Sequence, residues 1–286
     1  MRVAHIIMAH KGPDQLEALI RSLDHPMFDV YLHVDAKINL NDFKSLKTLK
    51  NLTFIKKRHK CNWGGYSLLK AEINCMDEVL KSCKGYDYIN LLSGQDYPMY
   101  SSDNIYNFLK ANAGKIFLSY DDSNPSLWWK HAIGRFERYH LTDFNFPGRY
   151  FLQSLLNKIT PRRKFPGGMT LYGGNNASWW TITGKSAQYV IDIIANDKNL
   201  DNFLRFCWGT DEFVIPTLIM NSSFRSQVVN NNLRYIDWSE GNPNPKILME
   251  EDLEKIIGSQ MLFARKFDFN ADVSVIDKIE QYKSPE

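Results

Sequence analysis

The sequence has 286 residues, of which 44% are hydrophobic and 23% are charged, and its formal net charge is +3. These values are typical of a globular protein and exclude a disordered chain, while so small a net charge gives no sign of nucleic-acid binding. Aromatic residues make up 13% of the chain. Aromatic rings pack in cores and also stack on the apolar faces of sugars, and composition leaves both uses open.

The cysteine pattern and the apolar runs bear on location. Four cysteines occur without a CxxC pair, which disfavours a zinc site. The first residues, MRVAHIIMAH, lack the pattern of a signal peptide, and no apolar run approaches the ~20 residues that a membrane helix needs. We therefore expect a cytoplasmic protein with free thiols, and peripheral contact with the inner face of a membrane stays open.

Strand and helix patterns alternate through the first 120 residues. Short apolar runs predict strands at 3–8, 28–34, 52–55, 86–92 and 115–119. Helical spacing of apolar residues predicts helices at 14–23, 67–80 and 104–112. This alternation predicts an α/β fold with a mostly parallel sheet and helices on both faces. Ligands of such sheets bind beyond the carboxyl ends of the strands, where His10, Asp35 and Asp96 stand.

The second half of the chain is less regular. Strands are predicted at 179–183 and 233–238, and helices at 186–195, 213–220 and 252–259. A charged, aromatic loop and helix are expected at 128–139. Because neither repeats nor low-complexity linkers occur, we predict one catalytic domain over residues 1–286. Residues 1–120 would bind the nucleotide, and residues 121–286 would bind the acceptor and carry catalysis.

The acidic pair Asp211-Glu212 precedes an apolar helical stretch. Thr210 and Asp211 are good N-cap residues, which predicts that Glu212 lies in the first helical turn. The helix dipole stabilises a carboxylate there by about 0.3–1 kcal/mol. Glu212 is therefore either a capping carboxylate or a base held at a helix start.

The loop at 93–98 has a single acid, Asp96, although a divalent metal on a diphosphate needs more than one carboxylate. Asp121 and Asp122 follow a later predicted strand. We therefore expect no metal and no other cofactor, and basic side chains would have to meet the charge of a diphosphate.

The C-terminal segment 262–268 offers such cations in Arg265 and Lys266, which are flanked by Phe263 and Phe267. Lys266 could approach a diphosphate from a packed, aromatic-lined position. The alternative is that the two phenylalanines anchor the core at i and i+4 while the cations point to water.

Taken together in order, these motifs resemble the core-2/I-branching β-1,6-N-acetylglucosaminyltransferase family, which also includes the peptide O-xylosyltransferases. The resemblance covers nearly the whole chain and, with its few cysteines and no membrane anchor, is to the bacterial branch. The segments that carry it are AH at 9–10, HVD at 33–35, WGGYS at 63–67, INLLSGQDYP at 89–98, GNNASWWTIT at 174–183, DEF at 211–213 and LFARKFD at 262–268.

The resemblance implies a GT-A-like nucleotide-sugar fold that works without a metal. It assigns the general base to Glu212, a diphosphate-binding lysine to Lys266, a uridine contact to Asp35 and an acceptor-side ring to Trp238. The family's second diphosphate cation has no clean match, and Lys246 is the nearest. The expected donor-binding residues are His10, Asp35, Asp96, Lys246, Arg265 and Lys266. The expected acceptor-binding residues are Arg135, Glu137, Arg138, Trp179, Trp180, Asp211 and Trp238.

The expected activity is inverting, metal-independent transfer of N-acetylglucosamine or xylose from a UDP-sugar to a hydroxyl of a glycan or lipid-linked glycan, forming a β linkage. Two alternatives remain open. One is a metal-dependent or retaining transferase of the same fold, and the other is a nucleotide-sugar or glycan-binding protein without catalysis. The tryptophans Trp179, Trp180 and Trp238 could equally pack in the core.

Overall fold

A computed structural model describes residues 1–283. Its strands, numbered in chain order, are β1 (Val3–Ala9), β2 (Phe28–Val34), β3 (Leu52–Phe54), β4 (Tyr88–Ser93), β5 (Asp96–Pro98), β6 (Ile116–Leu118), β7 (Thr181–Thr183), β8 (Val228–Asn230), β9 (Arg234–Ile236) and β10 (Phe263–Arg265). Its α-helices are α1 (Pro13–Ser22), α2 (Tyr66–Lys81), α3 (Ser102–Ala111), α4 (Leu127–Ala132), α5 (Gly134–Glu137), α6 (Arg149–Ile159), α7 (Gly184–Asn196), α8 (Lys198–Leu204), α9 (Val214–Met220), α10 (Leu253–Gly258) and α11 (Ser274–Lys283).

The central sheet has seven strands in the order β3-β2-β1-β4-β7-β6-β8. Strands β3, β2, β1 and β4 run parallel to one another, while β7 pairs antiparallel with both β4 and β6. All seven residues of β1 and of β2 are buried, because helices cover both faces of this part of the sheet. The predicted α/β fold with a mostly parallel sheet is confirmed.

Two hydrophobic clusters form the core, one on each face of the sheet. Successive side chains of a strand point to opposite faces. In β1, Ala4, Ile6 and Met8 accordingly join the cluster that holds α2, α7 and α9, and Val3 and Ile7 join the one that holds α1 and α11. The alternation explains why β1 reads as a continuous apolar run.

A smaller sheet, in the order β5-β10-β9, brings the C-terminal segment back to the end of β4. In it β10 pairs antiparallel with β5 and parallel with β9. The segment that offered helical spacing between Phe263 and Phe267 is thus a strand followed by extended chain, and both phenylalanines are buried as core anchors.

The sheet also shows how the two halves of the chain combine. Strand β7, which comes after residue 120, lies between β4 and β6, which come before it. The central sheet therefore contains strands from both halves of the chain. The separate roles of the two halves stay a prediction. Among residues 1–283, no helix has the length and apolar character needed to cross a membrane.

Candidate functional site

The carboxyl ends of β1, β2 and β4 meet at one edge of the sheet, as predicted. The backbone N–H of Asp35 donates to the carbonyl of Ala9 at 2.8 Å. The backbone N–H of Gly94 donates to the carbonyl of Met8 at 2.9 Å. Asp35 is buried, and its carboxylate accepts hydrogen bonds from the backbone N–H groups of Lys37 (2.8 Å) and Cys61 (3.2 Å). These bonds fix the loop in which a uridine contact is predicted.

Lys266 lies at this same edge. The N–H of the next residue, Phe267, donates to the carbonyl of Gln95 at 2.8 Å. Burial, followed by the charges of Arg265 and Lys11, lowers the pKa of Lys266. Burial also lowers the pKa of His10, and the charges of Lys11 and Lys266 add to this shift. Within residues 1–283, no hydrogen bond or ion pair holds the ammonium of Lys266, so its charge is available to an anion.

Asp96 and Arg265 are both predicted to bind the donor, but the structure pairs them with each other. Asp96 is fully buried, and its Oδ1 accepts from Arg265 Nε at 2.9 Å and from Ser93 Oγ at 2.8 Å. The guanidinium of Arg265 also lies 4.2 Å from the ring centre of Trp179. Arg265 thus joins β10 to the end of β4, and the donor contact of Asp96 stays a prediction.

Arg234 is a buried cation that the sequence does not predict. Its guanidinium donates to Asn90 Oδ1 and to the backbone carbonyl of Leu91, the latter at 2.7 Å. Burial lowers the pKa of Arg234 to about 9, while Asp96 opposes the shift. The sequence has no signal for this burial, because an arginine between apolar residues of a strand is expected to face water.

Lys246 is close to Lys266 but is already paired. The N–H of Leu248, two residues on, donates to the carbonyl of Lys266 at 2.8 Å. The ammonium of Lys246 lies 2.6 Å from Asp252 and 3.6 Å from Glu251, and the hydrogen bond to Asp252 raises its pKa. Lys246 could meet a diphosphate only by leaving these carboxylates.

Glu212 ends a short 3-10 turn, Thr210–Glu212, rather than lying in the first turn of α9. Phe213, with φ −147° and ψ −21°, separates the turn from the helix and stands at its N-cap position. The predicted capping by Thr210 or Asp211 is therefore wrong. The turn begins at Gly209 with φ +64°, where a Cβ would lie 2.6 Å from Arg135 Nη1, so glycine is required there.

The carboxylate of Glu212 forms an ion pair with Arg135, whose Nη1 donates to Oε2 at 2.5 Å. The guanidinium of Arg135 in turn lies 4.8 Å and 4.5 Å from the ring centres of Trp128 and Trp208. Burial and then the charge of Asp211 raise the pKa of Glu212 to about 7, and Arg135 opposes this rise. About a fifth of the Glu212 side chain is exposed (21%), so this carboxyl can take a proton from a bound molecule near neutral pH.

Asp211 lies behind Glu212 and is buried. Its Oδ2 accepts from Ser178 Oγ at 2.8 Å, and burial raises its pKa. Glu72 of α2 is buried as well, and burial followed by the charge of Asp211 raises its pKa well above the usual range. Asp211 therefore supports the turn, and the sequence signal that could have found Glu72 is an acid among the apolar residues of α2.

A cavity of about 520 Å³ adjoins Arg135. It is lined by Trp128 and Trp238, whose indole N–H groups donate to Asn175 at 2.9 Å and Asn176 at 2.7 Å. Aromatic walls with a few fixed polar groups are typical of small-molecule sites, and aromatic rings can also stack on the apolar faces of sugars. The structure thus places Trp238 at this cavity, whereas Trp128 was not singled out from its charged, aromatic segment.

The two adjacent tryptophans differ. Trp180 is fully buried in the core, so its ring cannot contact an acceptor, and core packing is its role. Trp179 is partly buried and stacks on Arg265. Its predicted acceptor contact stays a prediction.

Glu137 and Arg138 line a second cavity of about 530 Å³, which shares His131 and Arg135 with the first. Glu137 is paired with Arg162 at 2.8 Å. Four of the seven predicted acceptor residues, Arg135, Glu137, Arg138 and Trp238, thus line two adjoining cavities that meet at Arg135, and the other three line neither.

Asp121, one of the acids that could hold a metal, is engaged in hydrogen bonds within its own loop. Asp121 accepts hydrogen bonds from the hydroxyls of Ser123 and Ser126, at 2.6 and 2.7 Å, and from the N–H of Trp128 at 2.7 Å. These bonds hold its pKa well below the usual range. Among residues 1–283, no group of three or more histidine, cysteine, aspartate or glutamate side chains could hold a metal ion.

The Arg135–Glu212 pair predicts a pH profile. If ionised Glu212 is needed, kcat/KM rises with pH through about 7 and then levels, because protonation removes the base. Arg135 favours the charged carboxylate, so Arg135→Met should move this rise upward by about one pH unit. A pH series of kcat/KM for both proteins checks this. An unmoved profile would show that Arg135 does not set the ionisation of Glu212.

Comparison with known proteins gives one family match. A family model described as Core-2/I-Branching enzyme matches residues 3–258. The chain is 25% identical to Xylosyltransferase oxt of Drosophila pseudoobscura pseudoobscura over 99% of its length, and it spans about a third (33%) of that protein. It is also 25% identical to a human N-acetyllactosaminide beta-1,6-N-acetylglucosaminyl-transferase, over 97% of this chain and 71% of the relative.

A solved structure of mouse xyloside xylosyltransferase 1 in its apo form is 8% identical and covers 92% of this chain and 97% of its own. Its TM-score is 0.42, which is too low to support a statement about fold or function. The family match instead confirms the resemblance carried by the motifs.

Proposed function

The chain belongs to the Core-2/I-Branching enzyme family, and on that premise we propose that it is an inverting, metal-independent glycosyltransferase with a GT-A-like fold. The proposed donor is a UDP-sugar carrying N-acetylglucosamine or xylose, and the acceptor is a hydroxyl of a glycan or lipid-linked glycan. Both sugars are suggested by the names of the relatives. The observation that carries the proposal is Glu212, a partly exposed carboxyl with a pKa of about 7 that is ion-paired with Arg135, a lining residue of the aromatic cavity.

In the proposed reaction, the acceptor lies in the cavity of Trp128 and Trp238. Glu212 accepts the proton of the acceptor hydroxyl while that oxygen attacks the anomeric carbon from the face opposite UDP. The new C–O bond forms as the bond to UDP breaks, so an α-linked donor gives a β-linked product.

Lys266 would stabilise the negative charge that develops on UDP. Two observations support this role: Lys266 lies at the same sheet edge as Asp35 and His10, and its ammonium has no hydrogen-bond or ion-pair partner among residues 1–283. Lys246 would join it on leaving Asp252. The environment of the nearby carboxylates supports metal independence. Asp96 is buried against Arg265, and Asp121 accepts hydrogen bonds from two serine hydroxyls.

The proposed location is the cytoplasm. All four cysteines have free thiols, which suits a reducing compartment.

Chelation and product analysis test this proposal. We expect turnover to be unchanged in excess EDTA, because Lys266 rather than a metal meets the diphosphate. The product formed from an α-linked UDP-sugar should show a β anomeric proton coupling by NMR. Loss of activity in EDTA with recovery in Mn²⁺ would contradict the metal-independent mechanism, and an α product would contradict inversion.

A further inference from the structure

Helix α6 carries its apolar residues on the outside of the protein. Tyr150, Phe151, Leu155 and Ile159 are 63%, 77%, 43% and 70% exposed, and no residue of the helix is buried. Phe151, Leu155 and Ile159 recur every fourth residue and therefore form one continuous stripe. Exposed apolar patches of this kind mark contact surfaces.

Two polar side chains of the same helix, Gln153 and Asn157, face the protein. Gln153 Oε1 accepts from the N–H of Leu141 at 2.8 Å. One turn on, Asn157 accepts from the N–H of Tyr139 at 2.8 Å and donates to its carbonyl at 2.9 Å. A helix on a water-exposed surface normally has the opposite arrangement. The bonds of Gln153 and Asn157 hold α6 with its apolar stripe turned outward.

The charged residues in the chain segment that contains α6 are all basic. No aspartate or glutamate occurs between residues 144 and 191, although that segment contains several lysines and arginines. Lys158, Arg162 and Lys164, at and just after the end of α6, are exposed, and Arg162 reaches Glu137 outside the segment. Apolar residues flanked by exposed cations match the surface of an anionic lipid bilayer.

We propose that α6 and residues 160–164 form a docking surface for an anionic membrane. The helix lies in the plane of the membrane, with Phe151, Leu155 and Ile159 in the boundary between headgroups and acyl chains and Lys158 and Lys164 among anionic headgroups. A second copy of the chain fits less well, because a twofold contact would bring these cations against their own copies.

The proposal has a consequence for the cavities. Arg162, which follows α6, lines the cavity that shares Arg135 with the aromatic one. Docking through α6 therefore places these cavities close to the membrane surface, where a membrane-held acceptor would lie. The docking itself does not depend on the proposed transferase activity.

Cosedimentation with sucrose-loaded vesicles tests the surface. We expect the full chain to bind phosphatidylcholine vesicles that contain phosphatidylglycerol, with weaker binding at high salt. Phe151→Ser with Ile159→Ser should lower the partition coefficient about tenfold or more. Lys158→Gln with Lys164→Gln should remove the preference for anionic vesicles. Val273→Ser, at an exposed apolar residue (48%) in another part of the chain, should bind like the wild type.

All substituted side chains are exposed, so the thermal unfolding midpoints of the variants should match the wild type and show that folding is intact. The proposal is overturned if the wild type binds neither vesicle, or if Phe151→Ser/Ile159→Ser binds as well as the wild type. If the wild type forms a stable dimer and does not bind vesicles, and the double variant is a monomer, the stripe is instead a contact with a second copy of the chain. UDP-sugar turnover in the absence of vesicles is read separately, so failure of docking and failure of catalysis are distinguishable.

Discussion

Glu212→Gln is expected to lower kcat by roughly 10²–10⁴-fold, the usual contribution of a positioned general base. Glutamine has nearly the same shape and can still accept the hydrogen bond of Arg135, but it cannot take the acceptor proton. UDP binding should be unchanged, because Lys266 and Asp35 lie at the strand edge and not at the Glu212 turn. Steady-state turnover and calorimetric titration with UDP measure the two effects.

Glu17→Gln is the matched control. Glu17 also accepts from an arginine, Arg21, at 2.7 Å, but it is a surface pair on α1. Its replacement should leave turnover within about twofold of the wild type, since exposed pairs contribute little. Near-normal turnover by Glu212→Gln would show that Glu212 is not the general base.

Lys266→Met should lower kcat by roughly 10²–10³-fold, as expected for loss of one well-placed electrostatic contact to the developing charge. Methionine keeps the apolar stem, so the packing around Phe263 and Phe267 should remain. Weaker UDP binding should accompany the loss. Lys246→Met should have a smaller effect, because its ammonium is held by Asp252 at 2.6 Å and Glu251 at 3.6 Å.

Lys278→Met serves as a control, since Lys278 is a surface cation 3.9 Å from Glu250. It should leave turnover and UDP affinity unchanged. If Lys266→Met behaves like Lys278→Met, the diphosphate is met by other groups, and the proposed leaving-group role fails.

The sequence predicts the central sheet well because β1, β2 and β4 are buried on both faces and read as apolar runs. The residues after these strands are then close together by the rule for parallel sheets. Short strands such as β5 and β8 are not predicted, since each has three residues and depends on pairing with distant chain. Helix α6 is not predicted either, and its apolar stripe belongs to neither core cluster of the described residues 1–283.

The site was predictable only in part. Asp211-Glu212 and Lys266 stand in motifs that the family resemblance identifies. The pairing of Glu212 with Arg135 spans 77 residues, and that of Arg265 with Asp96 spans 169. Such pairings depend on how the loops fold back. Sequence spacing alone could therefore not reveal the ion pair between Asp96 and Arg265. It could not reveal either that Trp128 and Trp208 flank Arg135.

The central claim is that the chain transfers a sugar from a UDP-sugar, and UDP release from a panel of UDP-sugars tests it most directly. The wild type is incubated with each donor, including UDP-N-acetylglucosamine and UDP-xylose, with a panel of glycan acceptors, and UDP is quantified over time. We expect one of these donors to be consumed preferentially and Glu212→Gln to slow the release by roughly 10²–10⁴-fold. A chain that binds UDP by calorimetry yet consumes no donor with any acceptor would contradict the account and indicate a binding protein.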